Sequence, residues 1–284
     1  HPSVLQAAQY LESRGVSVTW LPPGPSGAVR PEDVATALRP ETFLVSIMAA
    51  NNEIGAITDV DAIGAICKEH GAPFMSDAVQ AYGKLPLRPR QSNISLLSLS
   101  GHKIYAPKGI GALYVAPDMH LTPLLHGGDQ EGGIRAGTES VGAILALGVA
   151  AMLAGQEMAA EARRLAGLRD NFLKRLKEIE PGLIVNGSLD KRLPNNLNVG
   201  FEGIDGGALL LSLNRIGVFV TSTSACHSGS KDASHVIKAL GVDTERYGIV
   251  RFSFGRDTTP EDLDYVLTWL PKILAELRRR PASS

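Results

Sequence analysis

The chain has 284 residues, of which 44% are hydrophobic and 20% charged, and a formal net charge of −1. This is an ordinary globular composition, long enough for one large domain and a smaller one, with neither a basic stripe for nucleic acid nor an acidic tail. No apolar run in the sequence reads as a membrane span, and no signal-peptide pattern opens it. The two cysteines, Cys67 and Cys226, exclude a disulfide framework and point to a reducing cytoplasm. No CxxC, HExxH or clustered Cys/His spacing announces a metal site. The chain opens at His1-Pro2 without Met, which reads as a processed, truncated or incomplete start.

The elements follow in chain order. Residues 2–14 predict a helix ending at Gly15, and 17–21 a strand, followed by the turn Pro22-Pro23-Gly24-Pro25. Residues 31–38 predict a short helix with Pro at its start. The apolar run 43–48 fits a buried strand. Residues 59–70 predict a helix capped by Gly71, and 74–76, 94–99 and 111–115 predict strands. Strands alternating with helices imply a mainly parallel sheet covered on both faces. Residues 138–179 predict one kinked helix or two, with Gly142, Gly148 and Gly155 as weak points. Strands at 197–201, 218–220 and 249–254, with helices at 206–215 and 260–279, then describe an α+β domain. The expected division is a large domain at 1–158 and a small one at 159–284. Arg278-Arg279-Arg280 reads as a frayed, solvated end.

Four segments carry candidate chemistry. Asp77 stands just past a strand, where open α/β sheets bind ligands; alone, it would more simply cap a helix. Lys103 follows another strand in Ser100-Gly101-His102-Lys103, as a candidate imine-forming amine, with Ser100 and His102 suited to an anion. Alone, that segment would more simply be a solvated loop. Together, a carboxylate for a pyridine nitrogen and an amine for a Schiff base are the parts pyridoxal 5'-phosphate (PLP) needs. Cys226 lies in the small, polar run Thr221 to Ser230, beside His227, a place suited to a reactive thiol as well as to an incidental surface one. Cys67, in an amphipathic helix, reads as a core residue. Arg251 in an apolar strand requires an anion or water. A substrate carboxylate and a structural salt bridge both meet that need.

These segments, with Asn51-Asn52-Glu53-Ile54-Gly55, Asp77-Ala78-Val79-Gln80, Arg135-Ala136-Gly137-Thr138, Ser224-Ala225-Cys226 and Arg251-Phe252-Ser253, resemble the cysteine desulfurase family over nearly the whole chain. The resemblance implies an α/β fold, PLP fold type I (aspartate-aminotransferase-like), with a large mainly parallel domain and a smaller C-terminal α+β domain. It implies that Lys103 forms the Schiff base and moves the Cα proton, that Asp77 pairs with the pyridine nitrogen, and that Gln80 bonds the phenolic oxygen. His1 would stack on the ring and act in acid–base steps. Ser100 and His102 would bind the phosphate, and Thr138 the phosphate of the neighbouring subunit in a homodimer. Asn52 would touch the cofactor and, with Arg251, the substrate carboxylate. Cys226 would take sulfur from L-cysteine as a persulfide, release alanine, and pass the sulfur to an acceptor protein such as an iron–sulfur scaffold. A long loop after Cys226 is similar to the subgroup that feeds such scaffolds.

Two departures accompany the resemblance. The family carries a long segment before the position of His1. Ala225-Cys226-His227-Ser228 is similar to selenocysteine lyases, where scaffold-feeding desulfurases commonly have Thr after the Cys. Selenocysteine lyase activity is therefore the alternative enzyme, and an inactive partner-binding fragment the alternative outside enzymes.

Overall fold

The computed structural model describes residues 1–222 and 234–279. Along the chain the elements are α1 (Pro2–Ser13), α2 (Pro31–Ala37), β1 (Val45–Ser46), α3 (Val60–His70), β2 (Phe74–Asp77), β3 (Leu96–Ser100), β4 (Gly111–Val115), α4 (Val141–Ile179), β5 (Ile184–Val185), β6 (Asn196–Glu202), α5 (Gly206–Arg215), β7 (Thr221–Ser222), α6 (His235–Ala239), β8 (Tyr247–Ser253) and α7 (Pro260–Arg279), with 3-10 turns at Gly101–Ile104 and Gln130–Gly133. They form two compact units, neither contiguous. One comprises Leu38–Ala49 and Asp59–Glu161; the other comprises His1–Ala37, Ala50–Thr58 and Ala162–Ser284. The compact units thus differ from the contiguous division at residue 158. The sequence crosses between cores at residues 38, 50 and 59 as well as within α4, so one cut cannot separate them.

The first unit holds a four-stranded sheet in the order β1-β2-β3-β4. β1, β2 and β3 are parallel, with Val45 opposite Phe74 and Asp77 opposite Ser98. β4 runs antiparallel to β3, so the sheet is mainly parallel with one reversed edge. Gly111, Ala112 and Leu113 of β4 are exposed within the chain, and the cover expected on both faces stops short of them. α3 begins at Asp59, whose carboxylate accepts from the Ala62 amide at 3.0 Å. It ends at Gly71 in the left-handed region, φ 81°, a conformation that suits glycine. Its buried face carries Ile63, Gly64 and Cys67. An ideal Cβ on Gly64 would lie 1.8 Å from the Ser92 carbonyl oxygen, so the helix rests directly on that loop.

The second unit is a four-stranded antiparallel sheet, β5-β6-β8-β7. It is covered by the C-terminal half of α4 together with α5 and α7. The core centres on Phe172, which meets Phe252 edge-on at 5.1 Å and Phe254 at 5.9 Å between ring centroids, amid buried Leu176, Leu197, Leu209, Leu213 and Leu270. Edge-to-face rings add to the burial of their area. Arg192 runs through the inner side of this unit, and burial, followed by the charge of Arg169, pushes its guanidinium down to about 10.

Several elements differ from expectation. Residues 17–21 form no strand, and Trp20 in that stretch is half exposed. The run 43–48 contracts to Val45–Ser46, because Phe43 and Leu44 face outward and only the next two residues meet β2. Residues 218–220 are coil with Phe219 exposed, and the pairing begins one residue later. β5 and α6, too short to show a period, were not anticipated. α4 is a single helix of 39 residues. Space is open around Gly142, Gly148 and Gly155, so packing does not single them out. α4 also corrects the exclusion of a spanning segment, since it is long and apolar enough by length and composition, and almost none of its most apolar stretch is buried within the chain. Arg278 is not frayed: it donates to the Glu180 carboxylate at 2.8 Å and to the Glu202 carbonyl at 3.2 Å. Arg280 lies outside the described residues.

Two predictions follow from α3. Gly→Ala inside an open helix stabilises by about 1 kcal/mol, but Gly64→Ala forces a Cβ against backbone and should cost about 1–3 kcal/mol instead, read as a lower melting temperature. Burial pushes the Cys67 thiol up to about 11. At pH 8 the native protein should therefore leave Cys67 unalkylated by iodoacetamide, and urea should open it to the reagent, as peptide mass spectrometry reads directly.

Candidate active site

In the parallel unit, β2 and β3 end side by side and deliver their next residues to the same edge. Asp77 is the last residue of β2 and is 8% exposed. Its carbonyl accepts from the Ala49 amide at 2.8 Å, and the following Ala78 amide donates to the Ser98 carbonyl at 3.0 Å, which holds both strands at this point. The Asp77 carboxylate accepts from the Val79 amide at 3.0 Å. Among the described residues it has no cationic partner. A buried carboxylate in that state calls for a further donor or a positive charge.

β3 ends at Ser100, and the 3-10 turn Gly101–Ile104 follows at once. Ser100 Oγ and His102 Nδ1 stand 2.8 Å apart. Lys103 is exposed, one residue before Ile104, which is buried. The turn closes with Tyr105 at φ 68°, a left-handed conformation costly for a side chain with a Cβ. Two tight contacts hold the turn in place. A Cβ on Gly101 would come within 2.8 Å of Ile110, and one on Gly83 within 2.8 Å of Ile104. The loop after Gln80 and the turn bearing Lys103 therefore pack on each other, with Tyr82, Ile110, Leu147 and Ala154 around Ile104. Lys84 joins them, its amine donating to the Gln80 carbonyl at 3.1 Å. Burial, followed by the charge of Lys103, pushes the Lys84 ammonium down to about 8. Thr138 is exposed, just ahead of α4.

The remaining expected residues belong to the other unit. Arg251 sits in β8 opposite Thr221 of β7 and Asn198 of β6. Its guanidinium donates to the Asn52 carbonyl at 2.6 Å and to Thr221 Oγ1 at 3.0 Å. Asn52 stands in a tight turn in which Asn51 Oδ1 accepts from the amides of Glu53 and Ile54 at 2.8 and 3.0 Å. Glu53 is held at both its backbone and its side chain: its carbonyl accepts from the side-chain Nδ2 groups of Asn196 and Asn198 at 3.2 and 3.1 Å, and its carboxylate from Ser234 Oγ at 2.6 Å. His1 caps α1, with Nδ1 accepting from the Ser3 amide at 3.2 Å. Cys226 and His227 lie outside the described residues.

The structure thus brings Asp77, Gln80, Ser100, His102 and Lys103 together in one unit, and Asn52 with Arg251 in the other. Sequence reasoning passed over Lys84, Glu53, Asn196, Asn198 and Ser234. Two signals were present. Lys84 follows Gln80 at a spacing of one helical turn, and Glu53 sits inside the quoted Asn51–Gly55 motif with no role given to it.

Residues 1–266 match the family model for aminotransferase class V. The chain is 45% identical over 281 residues to a cysteine desulfurase IscS of Clostridium botulinum (strain Hall), covering 98% of this chain and 71% of that one. It is 47% identical over 280 residues to a cysteine desulfurase of Gluconacetobacter diazotrophicus, covering 98% and 70%. Among solved structures, a NifS-like protein superposes with a TM-score of 0.90 at 34% identity, over 98% of this chain and 73% of that one. A second, described as SspA in complex with cysteine, superposes with a TM-score of 0.74 at 37% identity, over 89% and 71%. The strand-end arrangement of Asp77 and Lys103 and these likenesses lead to one assignment: the chain belongs to the cysteine desulfurase family of class V aminotransferases and has the PLP fold type I.

Proposed function

We propose that this protein removes sulfur from L-cysteine, giving L-alanine and a persulfide on Cys226, and passes the sulfur to an acceptor protein. The observation that carries the reading is the buried Asp77 carboxylate, without a cationic partner among the described residues, at the strand end beside the turn that bears Lys103.

That carboxylate suits PLP, because a protonated pyridine nitrogen supplies the positive donor that Asp77 lacks. Gln80 would bond the phenolic oxygen, and Ser100 and His102, already 2.8 Å apart, would bind the phosphate. His1 would lie on the ring, Asn52 would touch it, and Thr138 would serve the phosphate of a second copy in a homodimer. When bound, PLP supplies a carbonyl for an amine and an electron sink for charge released at the substrate.

The chain's own residues do the rest. Arg251 and Asn52 hold the substrate carboxylate, with the guanidinium giving up part of its grip on the Asn52 carbonyl or on Thr221 to do so. Lys103 removes and returns the Cα proton. The Cys226 thiolate attacks the substrate sulfur, so that an S–S bond forms as the Cβ–S bond breaks. The bonding pair stays with carbon, Cβ gains a proton, and alanine leaves. The sum is cysteine plus protein thiol giving alanine plus protein persulfide. An iron–sulfur scaffold is the kind of acceptor we expect, in the cytoplasm. The exposed apolar residues of α4, Val141, Leu145, Val149 and Met152 among them, are the surface we assign to the second copy.

The test adds PLP and L-cysteine to the purified chain and follows the visible spectrum, alanine and sulfide. We expect a visible band that changes with cysteine, and alanine at turnover. Cys226→Ala should keep the band and lose the persulfide, Lys103→Ala should lose turnover, and Arg251→Gln should raise KM for cysteine by about 10- to 100-fold. No band and no alanine at saturating PLP would end the desulfurase reading. Comparing L-selenocysteine with L-cysteine separates the lyase alternative.

Lys84 gives a pH prediction. Its ammonium is held near 8 in the folded chain against 10.5 ordinarily, so the unfolded chain binds more protons between those values. Stability from this group then rises with pH through that window and is least below it. Urea unfolding of the wild type and Lys84→Met at pH 7 and pH 9.5 should show the wild type gaining on the variant at the higher pH.

A further inference from the structure

We propose that Asn198 is a positioning residue for substrate binding: its side-chain amide sets the backbone beside Asn52 and, through the Asn52 side chain, tunes the grip on the substrate carboxylate. The proposal rests on the desulfurase reading above, and every contact it uses lies inside one compact unit.

Asn198 is fully buried in β6, directly opposite Arg251 of β8. A primary amide in an apolar sheet is costly unless both of its ends are bonded. Its nitrogen donates to the Glu53 carbonyl at 3.1 Å. A carbonyl only accepts, so the NH2 end has to face Glu53, and the oxygen is left for another donor. The side chain of Asn186, itself buried, supplies that donor at 2.7 Å. Asn196 repeats the arrangement. Its nitrogen donates to the same Glu53 carbonyl at 3.2 Å, and its oxygen accepts from Arg192 Nη1 at 3.3 Å. Arg192 also donates to the Asn186 carbonyl, which joins the two relays.

The carbonyl before that of Glu53 belongs to Asn52 and accepts from Arg251 at 2.6 Å. The Glu53 amide between them donates to Asn51 Oδ1 at 2.8 Å. Two successive carbonyls are thus tied to two adjacent strands, that of Asn52 to β8 and that of Glu53 to β6. The turn also lies against β6: a Cβ on Gly55 would come 2.7 Å from the Asn196 side chain. The Asn52 side-chain amide takes no hydrogen bond among the described residues and is left for a ligand. A misplacement of about 1 Å in a group that orients substrate is enough to cost a large factor in rate or binding. Asn198 therefore acts on the carboxylate grip without touching the substrate.

The consequence is an effect on binding that is separable from stability. The experiment uses the PLP-loaded protein as wild type, Asn198→Leu, the double variant Asn186→Leu with Asn198→Leu, Asn52→Ala, and Asn52→Ala with Asn198→Leu. Sulfide release from L-cysteine is followed in the presence of a thiol reductant, with L-alanine and ethylamine (alanine without its carboxylate) as inhibitors, and melting temperatures are taken on the same proteins. In Asn198→Leu we expect KM for L-cysteine to rise about five- to tenfold with kcat within about twofold of the wild type. The inhibition constant of L-alanine should rise with KM, while that of ethylamine stays put. The double leucine variant no longer leaves the Asn186 amide orphaned, so it should regain much of the lost melting temperature and still keep the raised KM. Added to Asn52→Ala, Asn198→Leu should raise KM no further, because both changes act through one side chain. An unchanged KM in Asn198→Leu, equal weakening of L-alanine and ethylamine, a KM that recovers together with melting temperature in the double leucine variant, or effects that multiply with Asn52→Ala would each overturn the proposal. A wild type that turns over no cysteine overturns the desulfurase reading, and this proposal with it.

Discussion

A carboxylate out of water calls for donors and a positive charge, and Asp77 has one backbone donor, the Val79 amide, and no cationic partner among the described residues. The parallel pairing of β2 and β3 sets it there. Asp77 faces Ser98 in the register, both strands are closed off by the Ala78 and Ala49 amides, and the chain turns away immediately after Ser100. Because the strands run the same way, both carboxyl ends fall on one edge, and the two loops that follow must share it. The contacts of Gly83 and Gly101 show how tightly they do so. Lys103 is placed by that packing, since its own side chain is exposed.

The antiparallel unit meets a different demand in a different way. A guanidinium in an apolar strand is expensive unless its hydrogens are taken up. Arg251 finds its acceptors in a backbone carbonyl and a hydroxyl from two other segments. This ties the Asn51–Gly55 turn to β8, and Asn196 and Asn198 tie it to β6. A short motif near residue 52 thereby becomes part of a core built from residues beyond 162. This is why the compact units interleave along the chain.

Much of the fold was legible because it rests on local signals. α3 has Asp59 at one end and Gly71 at the other, and α2 starts on Pro31. The strands that were found are apolar runs with a neighbour to pair with. The misses share a cause. Residues 17–21 and 218–220 look like strands, but hydrophobicity only says that a segment can be buried, and Trp20 and Phe219 are not. α4 was expected to bend because of its glycines. An exposed helix flank makes no packing demand at those positions, and the helix is unbroken from Val141 to Ile179.

The sequence alone determined the residue types and their order: a carboxylate and a lysine each past a strand, an arginine inside one, and motifs that resemble a known family. Those follow from local chemistry and spacing. Only the tertiary structure decided that Asp77 lacks a cation among the described residues, that Lys84 sits close enough to feel Lys103, and that Glu53 reaches Ser234 across more than half the chain. Charge balance and hydrogen-bond partnership depend on what is near in space, and sequence spacing carries no information about neighbours that folding brings together from far apart.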